Sequence, residues 1–101
     1  MMNEDKTTEK QWNLIGFIKI SPIRNAVLKA LDGRLLMPSE ISKITGYSAS
    51  QISNALYALK SKELVICKNE SVKKGRIYQN TALASEILEI LKKEEFMQEQ
   101  D

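Results

Sequence analysis

The stretch from residue 38 to residue 78 limits the possible folds more than any other part of the chain. Pro38-Ser39-Glu40-Ile41 opens a short helix that stops at Gly46, and Ser48 opens a second one. An apolar strand, Leu64-Val65-Ile66, follows, and after it a cation-rich hairpin, Lys73-Lys74-Gly75-Arg76. Pro38 suits a first helical position, where no backbone N–H is needed, and Glu40 complements the helix dipole in the first turn. Gly46 tolerates the positive φ that ends the helix. Ile41 and Ile44 are expected to face the core.

Ser48-Ala49-Ser50-Gln51 fits a capping box, in which the Ser48 hydroxyl meets the Gln51 N–H and the Gln51 side chain reaches back. Such a cap stabilises by about 1 kcal/mol and fixes where the helix begins. Over Ala49 to Lys62 the helical wheel divides into two faces. Ile52, Ala55, Leu56 and Leu59 form an inward stripe, while Ser50, Asn54, Tyr57 and Ser61 lie opposite, with Gln51, Ser53, Ala58 and Lys60 at the edges. An ordinary solvated helix would carry Glu and Lys on that outer face. Here it carries hydrogen-bonding groups instead.

The flanks add helices. Gln11 to Ile20 is apolar for its length and reads as a short helix with Trp12, Ile15 and Ile18 on one face, although a buried strand would read similarly. Ser21 caps a further helix with Pro22 at its first position; it runs from Ile23 to Leu31 and ends at Asp32-Gly33. Arg34 to Met37 is a connector able to add a short strand to the later hairpin. The strands are expected at Leu64–Lys68 and Arg76–Asn80, joined by a seven-residue loop from Asn69 to Gly75. Asn80 or Thr81 then caps a long helix to about Met97, with stripes Leu83, Ile87, Ile90 and Ala84, Leu88, Leu91. That apolar face is wider than one domain edge requires, which points to a homodimer seam as well as core packing.

Composition removes several classes of function. The 101 residues suffice for one small domain, and no apolar run approaches the roughly 18 residues that span a bilayer. There is no histidine and one cysteine, Cys67, so no plausible zinc ligand set exists and the commonest general base is missing. No phosphate-binding glycine loop or nucleophile elbow occurs, so no catalytic residues, cofactor or metal are expected. A single thiol suits a reducing cytoplasm, and its place in an apolar strand makes it a buried, inert group.

The net charge of +2 hides an asymmetry. Residues 21 to 80 hold ten Lys or Arg against Asp32, Glu40, Glu63 and Glu70, for +6, while residues 81 to 101 amount to −4. A basic middle suits a polyanion, and an acidic end suits solvent or a protein partner.

Together these features describe a mainly α fold with a small β-hairpin. It is a winged helix-turn-helix with an extra N-terminal helix and a long C-terminal one. The expected organisation is a flexible tail over 1–10, a winged-helix domain over 11–80, and a C-terminal helix over 81–101. That arrangement offers one helix to the major groove of double-stranded DNA and a charged loop to the phosphates beside it. Ser48, Ser50, Gln51, Ser53, Asn54 and Tyr57 are the candidate groove residues, since Asn and Gln can bond adenine bidentately. Lys43, Lys60, Lys73, Lys74 and Arg76 are the candidate phosphate contacts. The alternative is a winged-helix module that binds protein within a transcription complex.

Over Trp12 to Leu91 the chain resembles the MarR/ArsR-like winged helix-turn-helix transcriptional regulators, especially small archaeal members. The resemblance rests on Pro38-Ser39-Glu40-Ile41, Gly46, Ser48, Ser50, Ile52, Leu56, Leu59, Leu64-Val65 and Lys74-Gly75-Arg76-Ile77-Tyr78, closed by Thr81. It implies DNA-facing roles for Ser48, Ser50, Gln51, Ser53 and Asn54, wing contacts at Lys73, Lys74 and Arg76, and a packing role for Tyr78. It also implies a homodimer through terminal helices, here Leu83, Ile87, Leu88, Ile90 and Leu91, with the N-terminal helix as a second contributor. Many relatives have Arg where Asn54 stands, and Glu63 replaces the usual helix-ending glycine. The metal-sensing cysteine motif of ArsR proteins has no counterpart.

Overall fold

The computed structural model describes residues 7–99, with side chains described to residue 95. Five helices and one two-stranded antiparallel sheet follow one another: α1 (Glu9–Lys19), α2 (Pro22–Ala30), α3 (Pro38–Thr45), α4 (Ala49–Ser61), β1 (Val65–Cys67), β2 (Tyr78–Asn80) and α5 (Ala82–Glu99).

Local chemistry sets most of the boundaries. Thr8 caps α1 through a reciprocal box with Gln11. Residues 8–10, expected in a flexible tail, therefore belong to this helix and its cap, while residues 1–6 of that expected tail lie outside the described residues. The Ser21 hydroxyl accepts from the Arg24 N–H at the start of α2, with Pro22 in the first turn. α3 also begins at a proline, and the Glu40 carboxylate accepts from the Met37 N–H at 2.7 Å. Gly46 ends α3 at φ 84°. α4 ends in a Schellman arrangement, in which Leu64 N–H reaches the Leu59 carbonyl and Glu63 N–H reaches that of Lys60, both at 2.9 Å. Glu63 occupies the left-handed position at φ 62°, where glycine would be unstrained.

The strands are shorter than expected but in the expected places, paired Val65↔Asn80, Ile66↔Gln79 and Cys67↔Tyr78. The ladder extends by one bond at each end, Lys68 N–H to Ile77 and Thr81 N–H to Leu64. The connector before α3 contributes a single bridge, Leu36↔Tyr78. Cys67 is a buried free thiol.

One core joins all the helices. Leu14, Ile15 and Ile18 of α1 meet Val27 and Leu28 of α2, Ile41 of α3, the inward stripe of α4, and Ala84, Ile87, Leu88 and Leu91 of α5. Two inward assignments are corrected. Trp12 is 47% exposed and Ile44 is 49% exposed, because each lies at the margin of its helix's apolar face, on the side turned from the core.

α5 corrects a third expectation. Its wide apolar face is covered within the protomer: Ile87, Leu88 and Leu91 are buried, while Leu83 and Ile90 are half-buried against the same core. The cover is α1, which runs parallel to α5. Gln11 Nε2 lies 3.3 Å from Glu86 Oε1, and Lys19 Nζ lies 3.1 Å from Glu94 Oε1. Lys29 with Glu95 (3.3 Å) and Lys92 with Asp32 (3.0 Å) tie α5 to α2 and to the turn that follows it. Among the described residues, no helix is long and apolar enough to cross a membrane.

Candidate nucleic-acid interface

The turn between α3 and α4 is held rigidly. Ser42 Oγ donates to the Tyr47 carbonyl at 2.6 Å, Thr45 Oγ1 donates to Ile41 at 2.8 Å, and Tyr47 N–H reaches back to Thr45 Oγ1. The Ser48–Gln51 capping box then forms as expected, with Ser48 N–H to Gln51 Oε1 at 2.9 Å and Gln51 N–H to Ser48 Oγ at 3.2 Å. The start of α4 is thus fixed by side chains on both sides of its first turn.

The division of α4 into two faces holds throughout. Ile52, Ala55, Leu56 and Leu59 are buried, while Ser50, Ser53, Asn54 and Tyr57 are exposed, Tyr57 at 80%. Of the outward groups, Ser61 spends its proton on the Ala58 carbonyl at 2.6 Å. Lys60 is committed as well. Its ammonium lies 2.8 Å from the Glu70 carboxylate, which raises the Lys60 pKa and lowers that of Glu70 through their hydrogen bond.

The wing, residues 68–77, is built around two side chains. Asn69 accepts from Ile77 N–H at 2.8 Å through Oδ1 and donates to the Gly75 carbonyl at 3.1 Å. Arg76 folds back under the loop, with Nε to the Val72 carbonyl at 2.7 Å and Nη2 to that of Glu70 at 3.2 Å. Arg76 was expected at the phosphates, but much of its donor fork organises the wing's own backbone. Tyr78, half-buried against the core and bridged to Leu36, supports the base of the wing.

A cleft of about 230 Å³ separates α4 from the wing, with Ser53, Tyr57, Lys60 and Arg76 on its walls. The cations of the basic middle fall into two groups. Arg24 stacks 3.9 Å from the Phe17 ring and donates to the Phe17 carbonyl, Lys62 lies 5.5 Å over the same ring, and Lys29, Lys60 and Arg76 are engaged as above. Lys43, Lys73 and Lys74, all expected at the interface, are exposed with no ion-pair partner among the described residues. Arg34 and Lys68 are exposed and unpaired too. The sequence placed Arg34 in the connector and Lys68 in the basic wing, but neither was among the candidate contacts; the bridge Leu36↔Tyr78 and the Lys68 N–H bond to Ile77 now fix where each lies.

A helical core, a glycine turn leading into a capped second helix, and a two-stranded wing together make a winged helix-turn-helix. Residues 21–66 match the profile described as bacterial regulatory protein, arsR family. The expected likeness to ArsR-like regulators is thereby borne out. No curated protein sequence matches the chain significantly. Among solved structures, TubR from Bacillus thuringiensis serovar israelensis pBtoxis, bound to 24 bp of tubC, superposes with a TM-score of 0.73 at 17% identity. The superposition covers 86% of this chain and 97% of that one, and at this identity it speaks to the fold.

Proposed function

We propose that this chain is a sequence-specific double-stranded DNA-binding transcriptional regulator, with α4 in the major groove and the wing on the adjoining backbone. The observation that carries the reading is the pairing of two surfaces. The outer face of α4 presents uncommitted polar groups, and the neighbouring elements, α3 and the wing, carry the exposed, unpaired cations Lys43, Lys73 and Lys74. Phosphate contacts supply affinity without sequence information, and base-edge contacts supply selectivity. The DNA-bound state of TubR supports the same use of the fold. A cytoplasmic location accords with this role and with the single free thiol.

The active form in this reading is a homodimer presenting two α4 helices about 34 Å apart along the duplex. Its seam lies on α1 rather than on the buried stripes of α5. Trp12, Gly16 and Ile20 are exposed at four-residue spacing, and nothing lies within 4 Å of a Cβ placed at Gly16. An antiparallel copy of the same helix sets Trp12 of one protomer against Ile20 of the other, with the glycines permitting close approach.

The test is binding to a random duplex of about 30 base pairs, some three helical turns, by fluorescence anisotropy across a salt series. Wild type is compared with Lys73→Glu/Lys74→Glu. Affinity that falls steeply with salt, and a shallower slope in the variant, are expected. No binding at low salt would overturn the reading.

A further inference from the structure

We infer that Asn54 is the residue by which this chain selects its sites, and that it does so by reading an adenine in the major groove. The inference rests on the duplex-binding reading above and narrows it to one side chain and one base.

Adenine offers the major groove an acceptor, N7, beside a donor, the N6 amino group. A carboxamide with both its oxygen and its nitrogen available matches that pair bidentately. α4 carries two carboxamides, Gln51 and Asn54. Gln51 is occupied: its Oε1 accepts from Ser48 N–H at 2.9 Å as half of the capping box. The cap fixes the orientation of its carboxamide, so the second lone pair of Oε1 and the Nε2 donor cannot turn together to fit a base edge without straining the bond that fixes the start of the helix. What Gln51 presents most readily is its Nε2 donor, and a lone donor meets N7 of either purine, O6 of guanine or O4 of thymine, so it discriminates weakly.

Asn54 is exposed in the second turn, and neither amide atom has a partner among the described residues. It sits four residues after Ser50 and three before Tyr57, at the middle of the outward stripe. Its side chain is short, so the helix must approach the base edges closely, and Ser50 and Ser53 on the same side are small enough to allow that. The remaining groups do not offer a paired acceptor and donor: the exposed Tyr57 carries a single hydroxyl, which, like those of serine, bonds any base. Lys60 is paired with Glu70 and Ser61 with its own helix.

The experiment is a selection from randomised duplexes with wild type, Asn54→Ala and Gln51→Ala, followed by replacement of each adenine in the enriched site by 7-deazaadenine. That base pairs normally but lacks the N7 acceptor. Wild type should enrich sites sharing one adenine whose replacement weakens binding by about tenfold, the scale of a bidentate base contact. Asn54→Ala should be indifferent to the replacement, and Gln51→Ala should keep the wild-type preference. Enriched sites in which every adenine tolerates the replacement would overturn the inference while leaving duplex binding in place. So would loss of the preference in Gln51→Ala with retention in Asn54→Ala. If wild type retains no duplex at low salt, the functional reading fails along with it.

Discussion

The Lys60 ammonium, near the end of α4, lies 2.8 Å from the Glu70 carboxylate on the wing. The pair joins the two elements proposed to meet DNA and cancels the one cation on the outward part of α4. Glu70→Gln should release Lys60 to the phosphates. Duplex affinity should rise at low salt, and the slope of log affinity against log salt should steepen by about 0.9, the share of one additional phosphate contact. An unchanged slope in the same anisotropy series would show that Lys60 does not reach the backbone.

The pair also has a defined pH dependence. Glu70 is held below its ordinary 4.5, so its contribution is complete above that value and is lost as the pH falls below it; Lys60 is raised above 10.5, so it stays charged throughout the neutral range. The difference between wild type and Glu70→Gln should therefore be constant across neutral pH. A difference that drifts there would implicate another group.

Arg76 distinguishes shape from charge. Its two carbonyl bonds at 2.7 and 3.2 Å demand a planar fork, which a lysine lacks. Arg76→Lys keeps the charge but should loosen the loop. Faster amide exchange over residues 69–76 and weaker duplex binding are expected, measured by hydrogen exchange and anisotropy. Full binding by the lysine variant would reassign Arg76 to a plain phosphate contact.

Thr81 performs two tasks with one hydroxyl, donating to the Glu63 carbonyl at 2.8 Å and accepting from Ala84 N–H at 3.2 Å. Thr81→Val removes both, and a loss of about 1–2 kcal/mol is expected in urea unfolding. Glu63→Gly should act in the opposite direction, relieving the left-handed strain by up to about 1 kcal/mol. For a domain of this size that corresponds to a rise of about 4–8 °C in Tm.

The two candidate seams separate by measurement. Ile87→Ala should destabilise the protomer by about 2–5 kcal/mol, because it empties core volume. Trp12→Glu/Ile20→Glu should leave the protomer folded and shift sedimentation toward a monomer. A variant that sediments as wild type would place the dimer contact elsewhere.

Local chemistry was the most legible part of the sequence. The caps at Ser21 and Ser48 and the stop at Gly46 each depend on a few neighbouring residues, whereas the left-handed Glu63 showed only as a departure from the glycine usual in similar proteins. The inward stripe of α4 was legible because thirteen residues define a face well. Trp12 and Ile44 were misplaced because periodicity locates a stripe only to within its margins, and the packing partner decides which margin is covered. The α5 stripes were read as surplus because nothing in their own spacing shows that α1 lies alongside. The commitments of Lys60 and Arg76 depend on the path of the wing, which brings Glu70 and Val72 under them. Residue type alone sends both to phosphate.

The acids of α5 have a consequence beyond tying helices together. Lys19 and Lys29 are neutralised by Glu94 and Glu95 of α5, while Lys43 of α3 and Lys73 and Lys74 of the wing remain unpaired. A chain with so small a net charge thus carries a pronounced separation of charge. In the proposed encounter with a duplex, such a distribution would add a torque to the attraction and favour an approach wing first.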